Sequence, residues 1–176
     1  MKIKNNSIYD ICLIGIFTAL MAVMAQISIP LPNGVPMTLQ TLAIMMAGVV
    51  LGYKRGTISI VVYILLGMIG VPVFASFGGG VGYVFSYTGG FILSFPILAM
   101  AAGIGAVKSM KNKYFLWVFL IFGVIINYFC GIIYFNYLTG NTFFKSFLVC
   151  VLPFVLGDII KVVIVGLFGE RIRRLV

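Results

Sequence analysis

Histidine is absent from this 176-residue chain, and acids are nearly so: Asp10, Asp158 and Glu170 are the three carboxylates. Without imidazole, and with a single carboxylate far from the chain ends, general acid–base chemistry has few players. The chain is expected not to be an enzyme. No glycine run ends in Lys-Ser or Lys-Thr, so there is no Walker A, and the chain cannot hydrolyse ATP by that route. The pattern G-x-G-x-x-G is missing as well, which makes a nucleotide reading poor. Cys12, Cys130 and Cys150 stand alone in apolar stretches and form no C-x-x-C pair. Disulfides, a bound metal and a cofactor are therefore not expected. Alternating ten-residue segments, the mark of a membrane β-barrel, are absent too.

Apolar residues fill the space: 62% of the chain is hydrophobic and only 9% charged, with a mean hydropathy of +1.22. No soluble domain of this length has enough interior to hide that much apolar surface. Apolar runs at about 8–29, 37–52, 57–71, 90–107, 114–138 and 146–169 predict an all-α integral membrane protein, a single bundle of six spans. The first run is too long for a typical signal peptide and is expected to stay in the protein. The net charge of +9 sits in the short connections. Lys2, Lys4, Lys54, Arg55, Lys108, Lys111, Lys113, Arg171, Arg173 and Arg174 fall on one side of a six-span topology, and Lys145 on the other. That asymmetry predicts cytoplasmic termini and argues against nucleic acid as partner.

Two connections on the opposite side are unusual. Ser28–Pro36 holds three prolines and an Asn-Gly, an ordered turn rather than a loose linker. Thr38 and Gln40 follow at the start of the next helix. Phe74–Gly90 alternates glycine with aromatics: glycine lets backbone approach a ligand, and aromatics supply flat walls. A glycine-rich interfacial turn with an aromatic belt explains the same residues equally well. On the first run, Gly15 with Ala19 and Thr18 with Ala22 lay small residues along a stripe that permits close helix approach, either within the bundle or to a partner.

The last run carries Asp158 and Lys161, three residues apart and so on one helix face. Each charge facing lipid would be unfavourable by about 2.5–3.5 kcal/mol at the helix centre, so the pair is expected to face inward. A buried carboxylate accepts from N–H groups and an ammonium donates to carbonyls, which suits a neutral polar head such as a urea. Counted from Lys145, Asp158 lies about 20 Å along a continuous helix. Either the pocket reaches deep or the helix starts late, near Pro153.

The segments Ala25–Pro32, Val35–Gln40, Leu65–Phe74, Thr88–Phe91 and Gly157–Lys161, in this order, resemble the BioY family, the biotin-binding S components of energy-coupling-factor (ECF) transporters. The resemblance runs from about Ile8 to Leu167. It implies a multi-pass protein of a prokaryotic plasma membrane that captures biotin from outside. Its implied partners are a transmembrane coupling protein and two ABC-type ATPases, whose ATP hydrolysis drives release inside. An S component for another vitamin, or a solitary secondary carrier, is the alternative. Asp158 and Lys161 would meet the ureido head, and the aromatics of Phe74–Tyr87 the rest of the ligand. Backbone N–H groups at Gly78, Gly79 and Gly80, or at the helix start by Thr38 and Gln40, would take its carboxylate. The stripe of Gly15, Thr18, Ala19 and Ala22 matches the family's docking face. This chain departs from the family where Ser86-Tyr87-Thr88-Gly89-Gly90 replaces Gly-Pro-Thr-Gly-Gly, and it lacks an Asn near Gly79. That leaves Tyr83 or Tyr87 to supply one ligand hydrogen bond.

Overall fold

The computed structural model describes residues 7–31 and 34–176. Lys2 and Lys4 of the basic N-terminal stretch, and Pro32 and Asn33 of the proline turn, lie outside the described residues. In chain order the elements are α1 (Ser7–Gln26), β1 (Ser28–Ile29), β2 (Met37–Thr38), α2 (Gln40–Met68), a 3-10 turn (Ala75–Phe77), α3 (Val81–Val84), α4 (Gly89–Lys108), α5 (Tyr114–Thr139), α6 (Phe143–Cys150) and α7 (Leu152–Arg173). Among the described residues, five helices (α1, α2, α4, α5 and α7) are long and apolar enough to cross a membrane. Their outward faces stay apolar, with Ile16, Val118, Phe129 and Leu156 all exposed, as a lipid-facing surface requires.

Helix α2 is not one rod. Gly52 has φ 79° and ψ 171°, a region essentially restricted to glycine, and the chain reverses there. In a straight helix Gln40 and Tyr63 would stand about 35 Å apart. Instead Gln40 Nε2 donates to the Tyr63 hydroxyl at 2.6 Å. The arms 40–51 and 53–68 run side by side, so close that a Cβ on Gly56 would lie 2.8 Å from Gly48 Cα. α4 packs against both arms and forms the centre of the core with α2, where Ile44, Met45, Ile60, Leu98 and Ala99 are fully buried.

One end of the bundle gathers the cations. Arg55 in the α2 reversal pairs with Asp10 of α1 at 2.9 Å, Tyr9 donates to the Val176 carbonyl at 2.9 Å, and Arg173 donates to the Ala106 carbonyl near the end of α4. The opposite end carries the β1–β2 hairpin, paired Ser28 to Thr38 and Ile29 to Met37, together with the glycine-rich loop.

Val151, with φ −124° and ψ −50°, breaks the last apolar run into two helices. Thr142 caps α6 by accepting from the Lys145 N–H at 3.4 Å, and α7 starts afresh with Pro153 in its first turn, where a missing N–H does no harm. The helix therefore starts late. Asp158 lies six residues past Leu152, about 9 Å into α7.

Candidate functional site

The C-terminal helix brings its charged pair inward. Asp158 is 4% exposed and Lys161 6%. Lys161 Nζ donates to Asp158 Oδ1 at 2.7 Å, to the Thr38 carbonyl at 2.7 Å and to Thr41 Oγ1 at 3.0 Å. Asp158 Oδ1 also accepts from Thr41 Oγ1 at 3.0 Å, and Oδ2 accepts from the Tyr128 hydroxyl at 2.5 Å. Charges are tolerable in an apolar bundle when paired and hydrogen-bonded in this way. The cluster draws on four elements: β2, the first turn of α2, the middle of α5 and the start of α7.

This cluster forms one wall of a cavity. Thr38, Gln40, Tyr83, Asp158 and Lys161, all expected at a site, line it together. Thr41, Thr88, Asn127 and Tyr128 add polar groups, and Phe91, Phe95 and Phe154 add aromatic walls. Gln40 is held on both sides: Thr38 Oγ1 donates to its Oε1 at 3.0 Å, and Tyr63, which orients its Nε2, donates onward to the Val73 carbonyl at 2.9 Å. Asn127 donates to the Phe91 carbonyl at 3.0 Å and to Ser94 Oγ at 2.8 Å, tying α5 to α4 beside the cavity. The open interior is about 60 Å³, well under the ~300–1,000 Å³ of a filled small-molecule site. A ligand must therefore move part of the wall.

The remaining expected contacts lie elsewhere. Phe74 is fully buried behind the wall, stacked on Tyr83 at 5.1 Å between ring centroids and edge-on to Tyr63 at 5.5 Å. It supports the lining rather than forming it. Gly78, Gly79 and Gly80 do not line the cavity either. The Gly78 N–H donates to the Ala75 carbonyl at 3.1 Å and the Gly80 N–H to the Gly67 carbonyl at 2.7 Å, so two of the three expected N–H groups are engaged in holding the loop itself. Tyr87 is outside the lining: its ring tilts against Phe135 at 5.7 Å, and a Cβ on Gly34 would meet it at 3.1 Å. Tyr83 donates to the Ala75 carbonyl at 3.1 Å, and burial raises its hydroxyl pKa above the ordinary value, so it remains a neutral donor.

The small-residue stripe of α1 splits. Gly15 and Ala19 are exposed and Ala22 is half-buried, but Thr18 turns inward. Its hydroxyl donates to the Ser59 carbonyl at 3.0 Å, because an apolar core leaves a hydroxyl no water to bond. Thr18 therefore belongs to the α1–α2 packing, not to an outer face.

Sequence reasoning missed Thr41 and Tyr128. Thr41 had a signal, since it follows Thr38 and Gln40 within one turn. Tyr128 follows Asn127 directly, but a tyrosine in an aromatic-rich span carries no mark of its own.

Three comparisons bear on these observations. The model of the BioY family matches residues 1–176. The probable biotin transporter BioY of Pyrococcus horikoshii is 37% identical over 164 residues, covering 93% of this chain and 96% of that protein. The biotin transporter BioY of Thermotoga maritima is 39% identical, covering 92% and 94%. Among solved structures, the S-component for biotin from an ECF-type ABC transporter superposes with a TM-score of 0.87 at 28% identity, covering 98% of this chain and 95% of that one.

Proposed function

This chain is a member of the BioY family, and on that premise we propose that it captures biotin from outside the cell as the substrate-binding subunit of an ECF-type transporter. It is a transport protein and not a catalyst. The observation that carries the reading is the buried Asp158–Lys161 pair with Thr41 and Tyr128 in the wall of one cavity. A cyclic urea has two N–H donors and one carbonyl acceptor, the complement of this carboxylate and ammonium. The ureido N–H groups take the place of a hydroxyl donor on Asp158, and Lys161 turns to the ureido carbonyl. The thiophane ring and the aliphatic chain lie along Phe91, Phe95, Phe154 and the face of Tyr83. The ligand carboxylate lies toward Thr88, at the start of α4 beside the glycine-rich loop. No cofactor takes part.

In this reading the protein is a single membrane domain in a prokaryotic plasma membrane. The two arms of α2 cross separately, giving six crossings with both termini cytoplasmic. The clustering of Arg55, Lys108 and Arg173 at one end of the bundle supports this orientation. A transmembrane coupling protein and two ABC-type ATPases complete the transporter.

A melting-temperature screen of the purified chain tests the substrate. Biotin at a thousand times its dissociation constant stabilises the folded state by about 4 kcal/mol and should raise the midpoint clearly, while riboflavin, thiamine and folate leave it unchanged. No shift with biotin, or an equal shift with another vitamin, overturns the assignment. A second experiment tests the outer face of α1, where Gly15 has nothing within 4 Å of a built Cβ. Gly15→Trp and Ala19→Trp should each bind biotin like the parent chain yet lose association with the coupling protein, lowering ATP-driven uptake at least about tenfold, as expected of a small-residue contact filled by a bulky ring. Normal uptake by both would remove α1 from the docking face.

A further inference from the structure

Ser76 and Phe77 are the only non-glycine residues with positive φ among the described residues, each at 56°. Two consecutive left-handed side-chain residues are unfavourable and persist only where surrounding contacts impose them. Ser76 and Phe77 are both exposed, Phe77 at 72%, so burial of their own side chains does not impose it. The contacts come from Gln26, the last residue of α1. Its Oε1 accepts from the Phe77 N–H at 2.8 Å. Its Nε2 donates to the Phe74 carbonyl at 3.0 Å and to the Ala22 carbonyl of its own helix at 3.1 Å. One amide thus grips both ends of the turn and ties it to α1. Within the grip, Phe74 and Gly78 form an isolated bridge, the Phe74 N–H donating to the Gly78 carbonyl at 3.0 Å. The turn carries Ala75, which lines the cavity and whose carbonyl holds the Tyr83 hydroxyl, itself part of the lining.

We infer that Gln26 is a positioning residue for the ligand cavity: it clamps the strained 74–78 turn and thereby sets the Ala75–Tyr83 wall without touching ligand. The ligand half of this statement rests on the biotin reading above; the clamp half stands on geometry alone.

Two readouts on the purified full-length chain test it. Without ligand, Gln26→Ala should speed hydrogen exchange at the Phe74 and Gly78 amides at least about tenfold, since local opening sets their protection. With biotin, the same variant should raise the dissociation constant about tenfold, mainly through a faster off-rate. Adding Ser76→Gly and Phe77→Gly to Gln26→Ala should restore part of both, because glycine adopts positive φ without strain. A residue needed only for α1 packing would not be rescued by glycines in another segment. If Gln26→Ala does not fold, the isosteric Gln26→Met is measured in its place. Unchanged exchange in the clamp variant, or failure of the glycine pair to restore protection, overturns the inference. If the parent chain shows no biotin binding, the function proposal fails, and the exchange result still decides the clamp.

Discussion

Lys161→Met is expected to lower biotin affinity at least about tenfold and to lower the melting temperature, and adding Asp158→Asn in the same chain should restore the melting temperature while the loss of affinity grows beyond about a hundredfold. Lys161 Nζ sits 2.7 Å from Asp158 Oδ1, and the carboxylate also receives the Thr41 and Tyr128 hydroxyls. Removing the ammonium leaves a buried carboxylate with hydroxyl donors alone, and breaking a buried pair from one side costs about 3–5 kcal/mol. Neutralising the partner removes that penalty: the asparagine oxygen accepts from one of the two hydroxyls, and its NH2 donates to the oxygen of the other. Binding does not recover, because both charge-assisted hydrogen bonds proposed for the ligand are gone. At about 1.5–3 kcal/mol each, and about 1.4 kcal/mol per tenfold, two such bonds exceed a hundredfold. The single Asp158→Asn should lose binding comparably, since it leaves the ammonium facing the ureido group with no counter-charge. The measurement is labelled-biotin binding beside a thermal melt for the parent, both singles and the double. A double variant that binds like the parent chain would place the site elsewhere, whatever its stability.

The pair was visible in the sequence because charge is so scarce there. An acid and a base three residues apart in an apolar run cannot both face lipid, and one helix face follows from spacing alone. Apolar run length likewise pointed to membrane-spanning helices. Three features depended on information the local sequence does not carry. The apolar runs 37–52 and 57–71 leave residues 53–56 as the connection, yet the backbone reverses at Gly52, because its left-handed extended geometry excludes any other residue while Lys54 and Arg55 remain helical. The late start of α7 was one of two options until Val151 broke the run. In sequence the glycine loop offers a set of N–H donors, but a loop at the end of a bundle must first satisfy its own backbone. Gly78 and Gly80 do so against Ala75 and Gly67. Thr18 and Tyr128 show the same limit in side chains: spacing cannot say on which element a buried hydroxyl finds its partner. Thr18 found a backbone carbonyl and left the docking stripe, whereas Tyr128 found the carboxylate and joined the cavity wall.

Gly48→Leu should prevent recovery of a folded, biotin-binding protein, and Gly48→Ala should fold with a clearly lowered melting temperature. Gly48 lies on the N-terminal arm of α2, where a Cβ would stand 2.2 Å from the Ala99 carbonyl oxygen and 3.0 Å from Ala102 Cβ. The first obstacle is helix backbone, which cannot swing aside like a side chain, so α2 and α4 must separate. Within lipid no hydrophobic gain drives helices together, and close backbone approach through small residues is what holds them. Overpacking of this kind typically costs about 1–3 kcal/mol for added methylenes. For a chain of this length each kcal/mol lowers the midpoint by about 2–4 °C. A leucine adds four carbons at the tightest crossing, beyond what separation of one helix pair can absorb. The same arm starts with Gln40 and Thr41, so even a folded remnant would carry Thr41 away from Asp158 and lose the ligand. Gly15→Ala is the control, since a Cβ there meets nothing within 4 Å and an exposed helix gains propensity from alanine. Size-exclusion profiles and thermal melts of the three variants give the answer. A Gly48→Leu protein that melts within about 2 °C of the parent, the span of less than 1 kcal/mol, would mean that α2 and α4 do not cross as closely as described.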